Sequence, residues 1–368
     1  MRMKKILILA ATVALSAACS HNFEVNPVSK DGGQIGFGSW AESLTKARVQ
    51  GSNTWTNGDD FAVYGFKDKT TPAPSTVFAH DGTNDVVVSY DGSKWDYDHH
   101  RFWDVNYDSY TFYAVSPASI GVNATALNPQ TGVMTSASIT FAGNDNDILV
   151  ADEKTVNKTD GENYFNGYGT VPLVFNHVAS LFDLKVKKHA DIGDAVVAIT
   201  AITLSNMDVT GTFNVSGYTA TTFKDASGTA PVVAWTPTAT GSYTNTSGVT
   251  SVATLPTDVT DDAAGDFLIN TLIAMPQTLR TTGEAKQTVT ISYTITPANG
   301  DTMTYENKSF DLESFDDADD TDNDDTHISS WIPGKHYTYF ITINAHAIMF
   351  SATINDWTTQ SGYHYLVN

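Results

Sequence analysis

The chain has 368 residues, with 41 Asp and Glu against 20 Lys and Arg and a formal net charge of −21; a surface this acidic repels phosphate backbones and excludes nucleic acid as a partner. Hydrophobic residues make up 41% and aromatic residues 11%, enough for a sizeable core, and the length exceeds one ordinary domain, so two are expected. Cys19 is the lone cysteine, which excludes a disulfide framework.

In chain order, Arg2, Lys4 and Lys5 precede the apolar run Ile6 to Leu15, and Ser16, Ala17 and Ala18 lead to Cys19. Charge, apolar run and small residues in that order describe a signal peptide over 1–18, too short to span a bilayer. The stretch resembles a bacterial lipobox, with Ser16 where Leu is usual and Leu15 one place further out. A cut just before Cys19 would let its thiol take lipid and tether the chain to a membrane surface. That cut removes three cations and no acid, leaving 17 Lys and Arg against 41 acids, a net −24.

Strict alternation of apolar and polar residues, the mark of half-buried strands, then recurs. Phe182, Leu184 and Val186 alternate with Asp183, Lys185 and Lys187 just after a polar stretch that ends near residue 170, which places a domain boundary there. Val289, Ile291, Tyr293 and Ile295 share one face of a strand; Tyr337 to Ile343 and Ile348 to Ile354 read as a hairpin closed across Asn344 to Ala347. No apolar series keeps a helical period for three turns. The Thr, Ser and Gly-rich stretch from Asp225 to Thr250 and the acidic run from Asp316 to Asp325 are predicted as surface loops. The chain is therefore expected to be all-β and built of β-sandwiches.

Motifs for chemistry are sparse. Asp316, Asp320, Asp322 and Asp324 offer carboxylate oxygens to calcium, but the run lacks the glycine turn and closing glutamate of a dedicated loop. His99 and His100 adjoin Asp96, Asp98 and Asp104, yet adjacent residues on a strand point to opposite faces and do not share one metal. No nucleophile elbow, zinc helix motif or phosphate-cradling loop occurs, so neither enzymatic activity nor a cofactor is expected, although a carboxylate pair brought together by folding is invisible in sequence. Trp95, Tyr97 and Trp103 would stack on sugar rings if exposed, or fill the space between two sheets if buried.

The order of several short patterns resembles the fimbrillin family, the lipoprotein pilins of gut and oral Gram-negative anaerobes. They are "IGFGSWAESLTKARV", the turn Trp55, Gly58, Asp59, then Tyr90, Asp91, Gly92, Trp95, Tyr97 and Trp103, the strand from Tyr110 to Pro117, "NDILVA" around Asp147, "VPLVFNHVASLFDLKV", "MPQ" at Met275 to Gln277, and "WIPGKHYTYFITI" to "INDW". The resemblance implies two transthyretin-like sandwich domains, 49–170 and 171–368, after a pro-segment at 19–48. It implies that the first strand, "GQIGFGSW" with Ile35 and Phe37 on one face, is removed by a trypsin-like cut at Arg48, or at Lys46 as second choice. The opened edge is then filled by a strand from the next subunit, and the contact propagates head to tail. The expected donor is the C-terminal tail, with Tyr363, Tyr365 and Val367 on one face, or the strand "AIMFSATIND" lent by a rearranged final hairpin. Expected partners are other fimbrial subunits, the outer membrane through the lipid, and a host protein or glycan; the expected place is the cell surface. "DTM" at Asp301 to Met303 resembles a short O-glycosylation signal of the same bacteria, which would make Thr302 a sugar acceptor. The competing expectation is a permanently tethered surface lipoprotein that grips glycans or host proteins.

Overall fold

The computed structural model describes residues 33–39, 55–67, 75–78, 86–104, 106–120, 134–143, 147–159, 170–215, 233–245, 266–281, 285–314, 327–344 and 348–356. Among them the regular elements are strands, apart from three single 3-10 turns at Ala118–Ile120, Ala190–Ile192 and Leu312–Ser314. The first half carries β1 (Gly36–Ser39), β2 (Asp60–Lys67), β3 (Ser75–Phe78), β4 (Val87–Tyr90), β5 (Trp95–Tyr97), β6 (Ser109–Ser116), β7 (Met134–Thr135), β8 (Ile139–Thr140), β9 (Leu149–Ala151), β10 (Lys154–Asn157), β11 (Thr170–Leu173) and β12 (Phe175–His177). The second carries β13 (Ser180–Lys188), β14 (Val196–Val215), β15 (Val233–Asn245), β16 (Asp266–Ala274), β17 (Gln277–Thr278), β18 (Thr288–Thr296), β19 (Met303–Asp311), β20 (Ser330–Trp331), β21 (Lys335–Ile343) and β22 (Ile348–Asp356).

One sheet runs β12-β9-β6-β2-β4-β5, with β10 also on β6 and β3 also on β2. A second has the order β16-β13-β21-β22, and a third β15-β14-β18-β19, with β7 and β8 on β14. The central strands of the first sheet are buried on both faces. Phe61 and Val63 of β2, with Tyr110, Phe112 and Ala114 of β6, face one apolar cluster. Ala62, Tyr64 and Phe66, with Tyr113 and Val115, face a larger one that continues through β13, β14, β18 and β21. Aromatic and β-branched side chains suit such doubly covered strands. The first cluster is closed on its far side by β1 and β11, a parallel pair in register from Gly36 against Thr170 to Ser39 against Leu173.

Several expectations meet the structure directly. The hairpin is β21 and β22, antiparallel from Lys335 against Asp356 to Ile343 against Ile348. The alternation in β18 buries Val289, Ile291, Tyr293 and Ile295. Within the Thr-rich stretch expected as a loop, however, Val233–Asn245 is a strand, paired over most of its length with β14. Threonine is β-branched and suits a strand; the alternation was hidden because most of this edge strand's residues are solvent-facing. Strands from either side of residue 170 also share sheets, since β11 and β12 pair with β1 and β9, and β7 and β8 pair with β14.

Candidate strand-binding site

The short first strand occupies a slot with a rail on each side. On one side β1 follows β11. On the other, Ile35 N–H donates to the Arg101 carbonyl (2.8 Å) and Trp103 N–H donates to the Gly33 carbonyl (2.9 Å), with Gln34 bridging Phe102 in antiparallel sense. The strand is thus held by main-chain bonds that do not depend on its side chains, as in strand addition to a sheet edge.

Its inward side chains fill the floor of the slot. Ile35 is fully buried and Phe37 nearly so. The Phe37 ring lies 5.6 Å from that of Phe112, 5.8 Å from Tyr97 and 6.3 Å from Phe61, in tilted or edge-on arrangements that suit aromatic pairs. Burying these two side chains contributes about 1.5–3 kcal/mol each. The Tyr97 hydroxyl donates to the Ile35 carbonyl (2.6 Å) and accepts from Arg101 N–H (3.1 Å). Its burial pushes the phenol up to about 12, so it stays a donor across the neutral range.

The outward face is tight. A Cβ added at Gly36 would lie 3.3 Å from Thr170 Cγ2, and one at Gly38 would lie 2.8 Å from Thr170 Oγ1 and 3.4 Å from its Cβ. Glycine at these two positions lets β1 approach β11 closely.

Beside the slot, the turn Trp55 to Asp59 closes on itself: the Asp59 carboxylate accepts from Thr56 N–H (2.6 Å) and from its hydroxyl (3.1 Å), while Gly58 takes φ +97. It delivers the Trp55 ring to within 5.0 Å of Trp95 and 5.4 Å of Phe175. Tyr90 and Phe61 lie 5.1 Å and 4.9 Å from Trp95. Of the three rings considered for sugar stacking, Trp103 has no exposed surface and Tyr97 only 6%. Trp95 is half-buried, beside the equally half-buried Trp55 and Tyr90. His99 and His100 lie in a bend after β5, with His99 at φ 56; His100 Nε2 is 3.0 Å from Asp96 Oδ1. A bend rather than a strand holds them because β5 ends at Tyr97. Among the described residues no group of three or more His, Cys, Asp or Glu is placed to hold a metal.

A model of the fimbrillin-like family matches residues 45–357. The chain belongs to the fimbrillin-like family. No curated protein matches its sequence. Among solved structures, this fimbrillin-like chain is similar to a fimbrial protein from Bacteroides vulgatus at 17% identity, with 88% of this chain and 99% of that one covered and a TM-score of 0.49. It is similar also to a candidate cell adhesion protein from Bacteroides uniformis at 16% identity, 85% and 97% coverage and a TM-score of 0.46. A tip fimbrial protein from Porphyromonas gingivalis shares 13% identity over 85% and 97%, with a TM-score of 0.34.

In this fimbrillin-like protein Cys19, Lys46, Arg48, Asp316, Asp320, Asp322, Asp324, Tyr363, Tyr365 and Val367 lie outside the described residues. Thr302 is exposed between β18 and β19, its hydroxyl 3.0 Å from that of Thr296. No helix among the described residues is long and apolar enough to cross a membrane. Sequence reasoning missed the rail at Arg101 to Trp103 and the role of Thr170. The one signal for the latter is the strict alternation Ile35, Gly36, Phe37, Gly38, in which every second residue lacks a side chain.

Proposed function

We propose that the chain is a fimbrial structural subunit, exported as a precursor lipidated at Cys19 and assembled by strand exchange after proteolysis. The observation that carries this reading is the seat of β1. The seven-residue stretch 33–39, anchored by Ile35, Phe37 and two main-chain rails, lies a short way before Lys46 and Arg48. A cut after Arg48 severs it from the rest of the chain. Once it leaves, β11 loses the strand it pairs with and the cluster around Phe61 and Phe112 is opened to water, which favours capture of a replacement strand. The same cut discards Cys19 and with it the lipid. Residues 49–170 and 171–368 are then the two sandwich units, with strands crossing between them. The donor comes from a neighbouring subunit, with Tyr363, Tyr365 and Val367 of its tail as the sequence candidate. The mature polymer lies at the cell surface, where it meets host proteins or glycans, and no residue has a catalytic role.

The test is the intact mass and N-terminal sequence of the protein recovered from the surface of its native cells. A start at Val49 without lipid, in material that runs as large complexes, is the expected result. A lipidated start at Cys19 in a monomer overturns it. That outcome favours a tethered lipoprotein presenting the half-buried ring group of Trp55, Tyr90 and Trp95.

A further inference from the structure

The slot reads its occupant on both faces, and the outward reading comes from one side chain. Inward, the positions of Ile35 and Phe37 accept large apolar residues, as any buried strand face does. Outward, Thr170 stands against both Gly36 and Gly38. Thr170 is itself solvent-exposed, but its side chain is stiff at χ1, and a Cβ 2.8 Å from its Oγ1 is too close to stand unless that side chain turns or shifts. A residue larger than glycine in these places must push the strand off β11 or push Thr170 aside.

We infer that Thr170 is a size filter on the exchanged strand: the slot takes a strand in which large apolar residues alternate with glycine or another very small residue. This rests on the strand-exchange reading above. It makes the chain's own tail a poor occupant. With Tyr363 and Tyr365 in the places of Ile35 and Phe37, His364 meets Thr170; with Tyr365 and Val367 there, Leu366 does, and reversing the direction of the strand leaves the same residues between. The fitting partner is a neighbouring fimbrial subunit that supplies the large-small-large-small pattern β1 itself displays.

The experiment has two arms, both on the full chain. In the first, hydrogen exchange is followed by mass spectrometry across residues 33–39 in the wild type, Gly38→Val, Thr170→Ala and the double variant, with Gly38→Ala as a milder replacement where the valine variant does not fold. Overpacking of this kind speeds exchange about tenfold or more. Thr170→Ala alone has little effect, and the double variant returns to within about threefold of wild type if the two residues act on one another. No effect of Gly38→Val, or no rescue by Thr170→Ala, overturns the filter.

In the second arm the chain is digested with trypsin in the presence of synthetic GQIGFGSW, the same peptide with Gly36→Val and Gly38→Val, or SGYHYLVN, and bound strands are identified by native mass spectrometry. The glycine peptide is expected to enter wild type, and the other two only the Thr170→Ala chain. Entry of all three into wild type overturns the filter while leaving strand exchange standing. Entry of none into either chain overturns strand exchange, and the filter falls with it.

Discussion

At the scale of single residues, Tyr97 ties the first strand to the slot by a hydroxyl rather than by ring burial alone. Replacing it with Phe removes the bond to the Ile35 carbonyl and leaves that carbonyl short of a partner, a cost of about 1–2 kcal/mol. The pH dependence separates this role from packing. The phenol ionises near 10 in an unfolded chain and is held up to about 12 by burial in the folded one. Its contribution is therefore complete below pH 10 and lost as pH rises through 12. Denaturant titrations should show the gap between wild type and Tyr97→Phe closing over that interval, and a constant gap speaks for packing only. A second buried pair lies where β12 leads into β13: His177 Nδ1 is 2.5 Å from Asp147 Oδ2, both almost fully covered. Burial pushes the Asp147 carboxyl above its usual range, and His177 pulls it part of the way back. His177→Ala leaves a buried carboxylate without that partner, costing about 3–5 kcal/mol at neutral pH. A raised carboxyl is most stable protonated, so the deficit should shrink as pH falls toward the ordinary aspartate value and grow as it rises. Thermal unfolding of the variant across pH 4 to 8 measures this, and a deficit independent of pH contradicts it.

At the scale of elements, β1 is short, and Ile35 and Phe37 add to the hold that its main-chain bonds provide. Phe37→Ala removes the ring that meets Phe61, Tyr97 and Phe112. With a cost of about 3–5 kcal/mol, exchange across residues 33–39 should rise by at least about a hundredfold. The first sheet, held by its own ladder, should change little. Equal loosening of β2 and β6 would show instead that β1 is part of one cooperative unit with them. Legibility in the sequence follows the same distinction between one-sided and two-sided burial. Strands β18, β21 and β22 have one apolar and one polar set of residues, and their alternation marks them. The edge strand β19 is largely exposed on both faces, as is most of β15, so neither carries a contrast for periodicity to report. Strand β1 was readable from Ile35 and Phe37, but its parallel partner was not. A parallel pairing between segments so far apart in sequence leaves no turn residues to announce it.

At the scale of the whole molecule, family membership was legible because many weak patterns occur in one order, whereas the slot's selectivity was not, because it resides in contacts between Thr170 and two glycines far from it in sequence. Charge, by contrast, can be read from composition and has a consequence for assembly. Residues 19–48 hold Glu24, Asp31 and Glu42 against Lys30, Lys46 and Arg48, so removing them leaves the net −24 of the chain without its signal peptide unchanged. Two copies carrying that charge repel as they approach, and the attraction that joins them, apolar burial plus main-chain pairing, acts only at contact. Salt weakens the first and hardly touches the second, since the screening length falls from about 30 Å at 0.01 M to about 8 Å at 0.15 M. Head-to-tail growth of the trypsin-matured Thr170→Ala chain, whose slot admits the chain's own tail, followed by light scattering, should therefore accelerate as sodium chloride is raised over that range. This is opposite to the slowing expected where complementary charges steer subunits together. A rate that falls with salt would mean that a local basic patch on one subunit meets the acidic surface of the next. A rate that does not change would place the barrier in withdrawal of β1, a step internal to one chain, rather than in the encounter of two.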